Sequence, residues 1–276
     1  MVQSATTAVL YVNANSGRDT GNGTTTNPYR TLTQALRQAA AGTTIRLSGG
    51  NYTRAIGEVF PLVISNGVTV LGDEATKGRG VVIEGSGTYD SPSFGRQPIA
   101  LRLEGNAQLR GVTVTNRATR GTGVWIESAA PTIANVTFTN CGREGVFASG
   151  TANPLIFDSV FQQNAANGVS IARNAKGEIR RNAFRRTGYG ITVSDNAAPL
   201  IADNDLIENR AGIVLNRSAR PVLRFNQIEG SSEDGVVVNN DALPDLGRSQ
   251  DPAGNRFLNN RRTDLRNTSN LTITSI

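Results

Sequence analysis

Apolar positions along this chain fall in short alternating runs between polar turns, and from Pro131 onward the runs recur. Pro131-Thr-Ile, Pro154-Leu-Ile, Gly177-Glu-Ile, Pro199-Leu-Ile and Pro221-Val-Leu open successive units at intervals of 23, 23, 22 and 22 residues, which is the period of a solenoid. Each unit repeats the same columns: Ile133, Ile156, Ile179, Ile201 and Leu223, then Phe138, Phe161, Phe184, Leu206 and Ile228. A glycine follows (Gly145, Gly168, Gly190, Gly212, Gly235), and after it come apolar residues two apart, such as Val169 with Ile171 and Ile213 with Leu215.

Alternation within such short runs marks strands with one face inward, and about 22 residues supply two or three strands plus turns. The pattern predicts an all-β chain, a right-handed parallel β-helix of about ten coils whose strands stack in parallel. Each repeated glycine fits a corner that needs either positive φ or close backbone approach, and each proline fits a turn entry that lacks a ladder donor. The predicted organisation is one β-helix domain over residues 1–276. Residues 1–42 carry a first strand at Leu10 to Val12 and an amphipathic helix, Thr31 to Ala41, placed over the open end of the first coil. Coils occupy 43–240 with a projecting loop at 85–98, and 241–276 form a long loop and closing strands.

Composition narrows the chemistry. The chain has no histidine, so Ser-His-Asp, Cys-His and histidine-ligated metal sites are excluded. Its single cysteine, Cys141, makes no internal disulfide and reads as a small filler. Lys77 and Lys176 are the only lysines, so arginine carries most of the formal charge of +6, and arginine's fork suits carboxylate, sulfate or phosphate. Basic runs interleaved with aromatics are missing, which argues against a dedicated nucleic-acid site. No apolar run is long enough to span a membrane. The start MVQSATTAVLYV lacks the charged-then-apolar pattern of a secretory leader, so export would require one removed ahead of it.

The segment Tyr11 to Thr53, YVNANSGRDTGNGTTTNPYRTLTQALRQAAAGTTIRLSGGNYT, resembles the N-terminal part of a bacterial β-helix family classed as a domain of unknown function. The resemblance continues through EVFPLVISNGVTVLGDEATKGRGVVIEG and QLRGVTVTNRATRGTGVWIE to the PDLG around Asp245. It implies a pectate-lyase-like right-handed β-helix and export to the envelope or exterior, and it carries no catalytic residues with it. More distantly the fold looks like that of polygalacturonases and alginate epimerases, but their motifs are missing. The Gly-His-Gly of the first has no histidine to supply it, and Asp251-Pro252 is followed by Ala253 where the second has histidine.

Four columns are candidates for function. Asp158, Arg181 and Asp203, with Asn135 and Phe225 on either side, stack one coil apart. They read either as an ion ladder or as a lyase site in which Arg181 meets a uronate carboxylate or acts as base while Asp158 or Asp203 holds Ca²⁺. The next column, Val136, Ser159, Asn182, Asn204 and Asn226, reads as an inward amide ladder. Trp125 and Phe147 should point outward from neighbouring coils, either to stack on sugar rings or to lie beneath the loop Gly85 to Pro98. Arg117, Arg120, Arg143, Arg185, Arg186 and Arg210 precede the glycine corner and could form one basic stripe.

The functional expectation is a non-catalytic extracellular or periplasmic (cell-envelope) module binding a polysaccharide, and an acidic one, through Trp125, Phe147, Arg120, Arg143 and Arg210. It needs no cofactor. The alternatives are a polysaccharide lyase using Asp158, Arg181 and Asp203, with Ca²⁺ only in that case, and a structural or adhesive module.

Overall fold

The computed structural model describes residues 8–273. Its short alternating runs form three parallel sheets wound as a right-handed parallel β-helix. One coil shows the plan. Leu155–Phe157 lies in the first sheet, Val160–Gln162 in the second and Asn167–Ile171 in the third, and Glu178–Arg180 then re-enters the first. Among the described residues eight coils are complete, rather than about ten. A lone first-sheet strand, Val9–Val12, precedes them, and Arg256–Leu258 and Leu265–Asn267 close the second and third sheets. The difference comes from the early coils, where the coil beginning at Thr69–Leu71 carries two insertions before its third strand ends at Leu103.

The repeat columns are the register of the sheets. Ile133, Ile156, Ile179, Ile201 and Leu223 pair in sequence along the first sheet. Phe138, Phe161 and Phe184 do so in the second, with ring centroids 4.9 and 4.7 Å apart. These side chains are buried in one core that runs from Val12 to Leu246. The repeated glycines have negative φ, so of the two reasons for glycine the operative one is close approach. A Cβ on Gly190 would sit 2.6 Å from the carbonyl oxygen of Gly212 and 2.6 Å from Leu206 Cδ2, and neither can move cheaply.

Positive φ occurs elsewhere. From Pro131 onward each coil turns three times on a single left-handed residue, and the three stacks are Asn135, Asp158, Arg181, Asp203 and Phe225; Asn140, Gln163, Arg186, Glu208 and Gly230; and Gly150, Arg173, Asp195, Arg217 and Asn240, all with φ between 51° and 69°. Such a residue bends the chain from one sheet to the next within one step while keeping its ladder hydrogen bond. Asp158, Arg181 and Asp203 donate their amides to Arg180, Ala202 and Arg224 carbonyls of the next coil. The residue after the first corner points inward, where Ser159, Asn182 and Asn204 donate their amides to Asn182, Asn204 and Asn226 Oδ1 at 3.0–3.1 Å. A second ladder lies inside the next corner, where Asn164, Asn209 and Asn260 accept from Cys141, Thr187 and Ser231 amides. Burial pushes the Cys141 thiol up to about 12, so it is an inert filler of that row.

The helix covers the open first coil as expected but is shorter, Leu32–Gln38. Thr31 caps it, its hydroxyl accepting from the Gln34 amide, and Leu32 and Ala35 pack onto the strands Val9–Val12, Thr44–Leu47 and Leu62–Ile64. The chain leaves the helix at Ala39 because the Ala40 amide bonds to Thr43 Oγ1 in a turn through Gly42. Two carboxylates from outside the helix hold its start: Asp19 accepts from the Thr31 amide, and buried Glu58 from those of Leu32 and Thr33. At the far end, Arg224 bonds both Asp245 and Asp251 and ties down the loop that follows the last complete coil. Part of the expected closing segment, residues 274–276, lies outside the described residues.

Candidate functional site

The loop at 85–98 does not stand away from the coil. It forms an antiparallel hairpin, Gly87–Ser91 with Gly95–Leu103, whose second strand then joins the third sheet. The hairpin folds back over Trp125 and Phe147, which point outward as expected and stack on each other at 4.2 Å. Phe94 at its tip sets its ring edge-on to both, at 5.8 and 5.0 Å, and Tyr89 lies 6.2 Å from Trp125. Trp125 is therefore 1% exposed and offers no platform for a sugar, and Phe147 is half-buried. Glu127 fastens the cover. Its carboxylate accepts from Tyr89 Oη at 3.1 Å, Ser91 Oγ at 3.0 Å and Trp125 Nε1 at 3.4 Å. Burial raises its pKa, but the donors of Ser93, Ser91, Trp125 and Tyr89 together outweigh burial and hold the carboxyl below its ordinary range.

Beyond the hairpin tip the face is bare. An open groove of about 510 Å³ runs along the third corner, with Phe94 and Phe147 at one end and Arg173, Asp195, Asn216 and Arg217 along it. Asp195 is paired on both oxygens, accepting the Arg173 amide at 2.9 Å and Arg217 Nη1 at 2.5 Å. Arg173 differs. Its guanidinium lies 5.3 Å from the Phe94 ring centroid and has no carboxylate partner among the described residues. Asn240 Oδ1 accepts the Arg217 amide and Asn216 Oδ1 accepts from Asn239, so their amide N–H groups remain as donors. Neither Arg173 nor Arg217 emerges from the sequence columns, which end at the apolar pair. The signal was two residues further on, where Arg173, Asp195, Arg217 and Asn240 keep the same period.

The Asp158, Arg181 and Asp203 row lies on a different edge, at the first corner. Arg181 grips Asp158 with both arms, Nε to Oδ1 at 2.9 Å and Nη2 to Oδ2 at 3.0 Å. Those bonds hold the Asp158 carboxyl below its usual range and, with a smaller contribution from Asp203, raise the Arg181 pKa. A raised pKa keeps Arg181 protonated, so it has no vacant nitrogen with which to take a proton as a general base. Asp203 is exposed and makes no ion pair among the described residues. Nor does the row supply a Ca²⁺ site: Asp158 is taken by Arg181, and no three of Asp, Glu, His or Cys among the described residues converge to hold a metal.

The arginine stripe is mostly neutralised. Arg117 pairs with Glu84 at 3.0 Å and Arg186 with Glu208 at 3.8 Å. Arg143 is bound into the hairpin base by Glu144, Gln97 and Thr122, while Arg210 pairs with Glu233 at 3.1 Å and lies 5.5 Å from the Tyr189 ring centroid. Arg120 is exposed on its own turn and Arg185 on the second sheet, neither with an acidic partner among the described residues. The Asp251 of the Asp-Pro pair is occupied by Arg224.

Three sheets, three left-handed corners and inward amide ladders define a pectate-lyase-like parallel β-helix. Within that class, residues 15–276 match the family described as protein of unknown function, DUF1565, and the chain belongs to it. No curated protein matches it in sequence. Among solved structures it is similar to pectate lyase Pel9A, at 16% identity and a TM-score of 0.60, covering 97% of this chain and 79% of that one. It is also similar to XylC in complex with xylose, at 10% identity and 0.60, covering 94% and 69%. A variant of the periplasmic alginate epimerase AlgG aligns at 16% and 0.54, covering 88% and 66%. Identities this low establish the fold and nothing about chemistry.

Proposed function

We propose that this protein is a polysaccharide-binding β-helix of the cell exterior or envelope, that its ligand is acidic, and that it binds along the third corner without cleaving the chain. The observation that carries the reading is Arg173, a guanidinium with no carboxylate partner among the described residues, set beside the Phe147 ring and the free amide donors of Asn216 and Asn240. A fork for a carboxylate or sulfate, a partly exposed ring and amide donors for hydroxyls are the groups an acidic sugar uses. A rigid coil lines them up along the helix axis, parallel to the path a linear polymer would take. The names of the fold neighbours, a pectate lyase and an alginate epimerase among them, agree with a sugar ligand at the level of fold.

The absence of cleavage rests on the same groove. Proton removal beside a neutralised carboxylate needs a free base, and Asp195, the one acid among the groove residues, has both oxygens engaged. The test is a glycan array read at low and high salt. Acidic glycans should bind, and binding should weaken as salt screens the arginine; silence across the array would sink the reading. Incubation with polygalacturonate should give no rise in ultraviolet absorbance, since unsaturated uronates would mean a lyase instead.

A further inference from the structure

A second groove, on the outer face of the second sheet, is separate from the third corner. Its parts come from distant stretches of sequence. The insertion Asp73 to Gly80 folds down on the sheet, its Lys77 and Gly78 carbonyls accepting from Thr137 Oγ1 at 2.8 Å and Thr113 Oγ1 at 3.0 Å. Lys77 sits there at φ 54°, outside the repeat's corners, a conformation costly for a side-chain-bearing residue that glycine would adopt freely. Its Nζ reaches across to donate to the Asp158 carbonyl, which leaves two of its three N–H donors.

The groove is open, about 590 Å³ beside Arg181 and Arg185, and continues past Lys77 for about 370 Å³ beside Arg79. Its floor is the short outward columns of the sheet, Thr137, Val160 and Ala183 in register, with Thr139, Gln162 and Arg185 beside them. Arg79 and Arg185 have no acidic partner among the described residues, and Lys77 has only a carbonyl. Arg181 is taken by Asp158, and Asp203 and Asp205, which also line the Arg185 end without an ion-pair partner among the described residues, offset part of the charge of Lys77, Arg79 and Arg185, so the groove is most positive at its Lys77 and Arg79 end. No aromatic ring lines either part, which disfavours base stacking and with it single-stranded nucleic acid.

We infer that this groove is a second, independent site for a linear polysaccharide bearing carboxylate or sulfate groups, gripped by Lys77, Arg79 and Arg185 across successive coils. Two sites on different faces of one rigid rod let a long chain bridge molecules, so the protein would cross-link polyanionic glycan rather than only hold it. Binding in this groove does not depend on the third-corner reading, whereas the cross-linking rests on it.

The experiment measures binding of the whole chain to immobilised polygalacturonate and dextran sulfate at low salt, with neutral dextran and poly(dT) as controls, and light scattering with the long polymers. Lys77→Glu/Arg185→Glu should weaken binding at least tenfold and abolish the scattering, with the Tm only slightly lowered by loss of the Lys77 bond to the Asp158 carbonyl. Lys77→Gln/Arg185→Gln, which keeps a donor at position 77, should fall between that variant and the wild type. Wild-type binding and scattering in the charge-reversed protein would overturn the inference, as would equal binding of poly(dT). Loss of binding in that variant with no effect of Arg173→Ala would uphold the second groove and overturn the third-corner site, and the cross-linking with it.

Discussion

The two halves of the third-sheet face are built on the same coil and present opposite surfaces. Toward the N-terminal end, Trp125 and Phe147 stack outward under a hairpin, closed by Phe94 and fastened by Glu127. Toward the other end no insertion covers the coil, and Arg173 with its neighbours lines an open groove. The repeat decides which residues point outward. An insertion twenty or more residues earlier decides which of them meet water, and so whether an outward aromatic is core or contact surface.

The largest effect that could break this contrast is at Trp125. Trp125→Ala should cost about 3–5 kcal/mol in urea unfolding, because it empties a covered site. A change within about 0.5 kcal/mol, typical of an exposed side chain, would mean the ring is not covered. Next comes the fastening. Glu127→Ala leaves the donors of Tyr89, Ser91 and Trp125 without an acceptor and should cost about 2 kcal/mol. Since Trp125 is the only tryptophan, red-shifted emission and stronger acrylamide quenching would report the hairpin lifting.

Acid should act in the same direction. The Glu127 carboxyl is held below its ordinary value of 4.5 in the folded protein, so its contribution is present above the unfolded pKa and is lost as pH falls through the folded one. Quenching of Trp125 should therefore rise on acidification below about pH 4, and Glu127→Ala should remove that dependence. The smallest effect is at the first corner. Arg181→Ala breaks a pair that is 52% and 34% exposed and should cost about 0.2–1 kcal/mol, much of it screened by salt.

Most of the fold was legible because the period is strict from Pro131 onward. The columns that pair in the sheets are those that repeat in the sequence, down to the stacked Phe138, Phe161 and Phe184. The left-handed corners were not legible, since coil closure imposes that conformation on residues as unlike as Asp158, Arg181 and Phe225. A residue's type there says little about its backbone. The coil number was overestimated because insertions such as Asp73 to Gly80 consume chain without adding a turn. At the candidate site, the outward direction of Trp125 and Phe147 was readable and their cover was not, because a hairpin's length is visible in sequence but its docking surface is not. Asp158, Arg181 and Asp203 stood out by their charge, whereas Arg173 and Arg217 have the same charge pattern around Asp195 and the more open setting.

The most direct test of the contrast is calorimetric titration with short oligogalacturonates in the Lys77→Glu/Arg185→Glu background, where the second groove is silenced. Arg173→Ala should weaken binding at least tenfold while leaving the Tm and the Trp125 emission unchanged. Binding that survives Arg173→Ala would contradict the assignment of the bare half as the site, and a shift of the Trp125 emission as ligand is added would place the ligand at the hairpin instead.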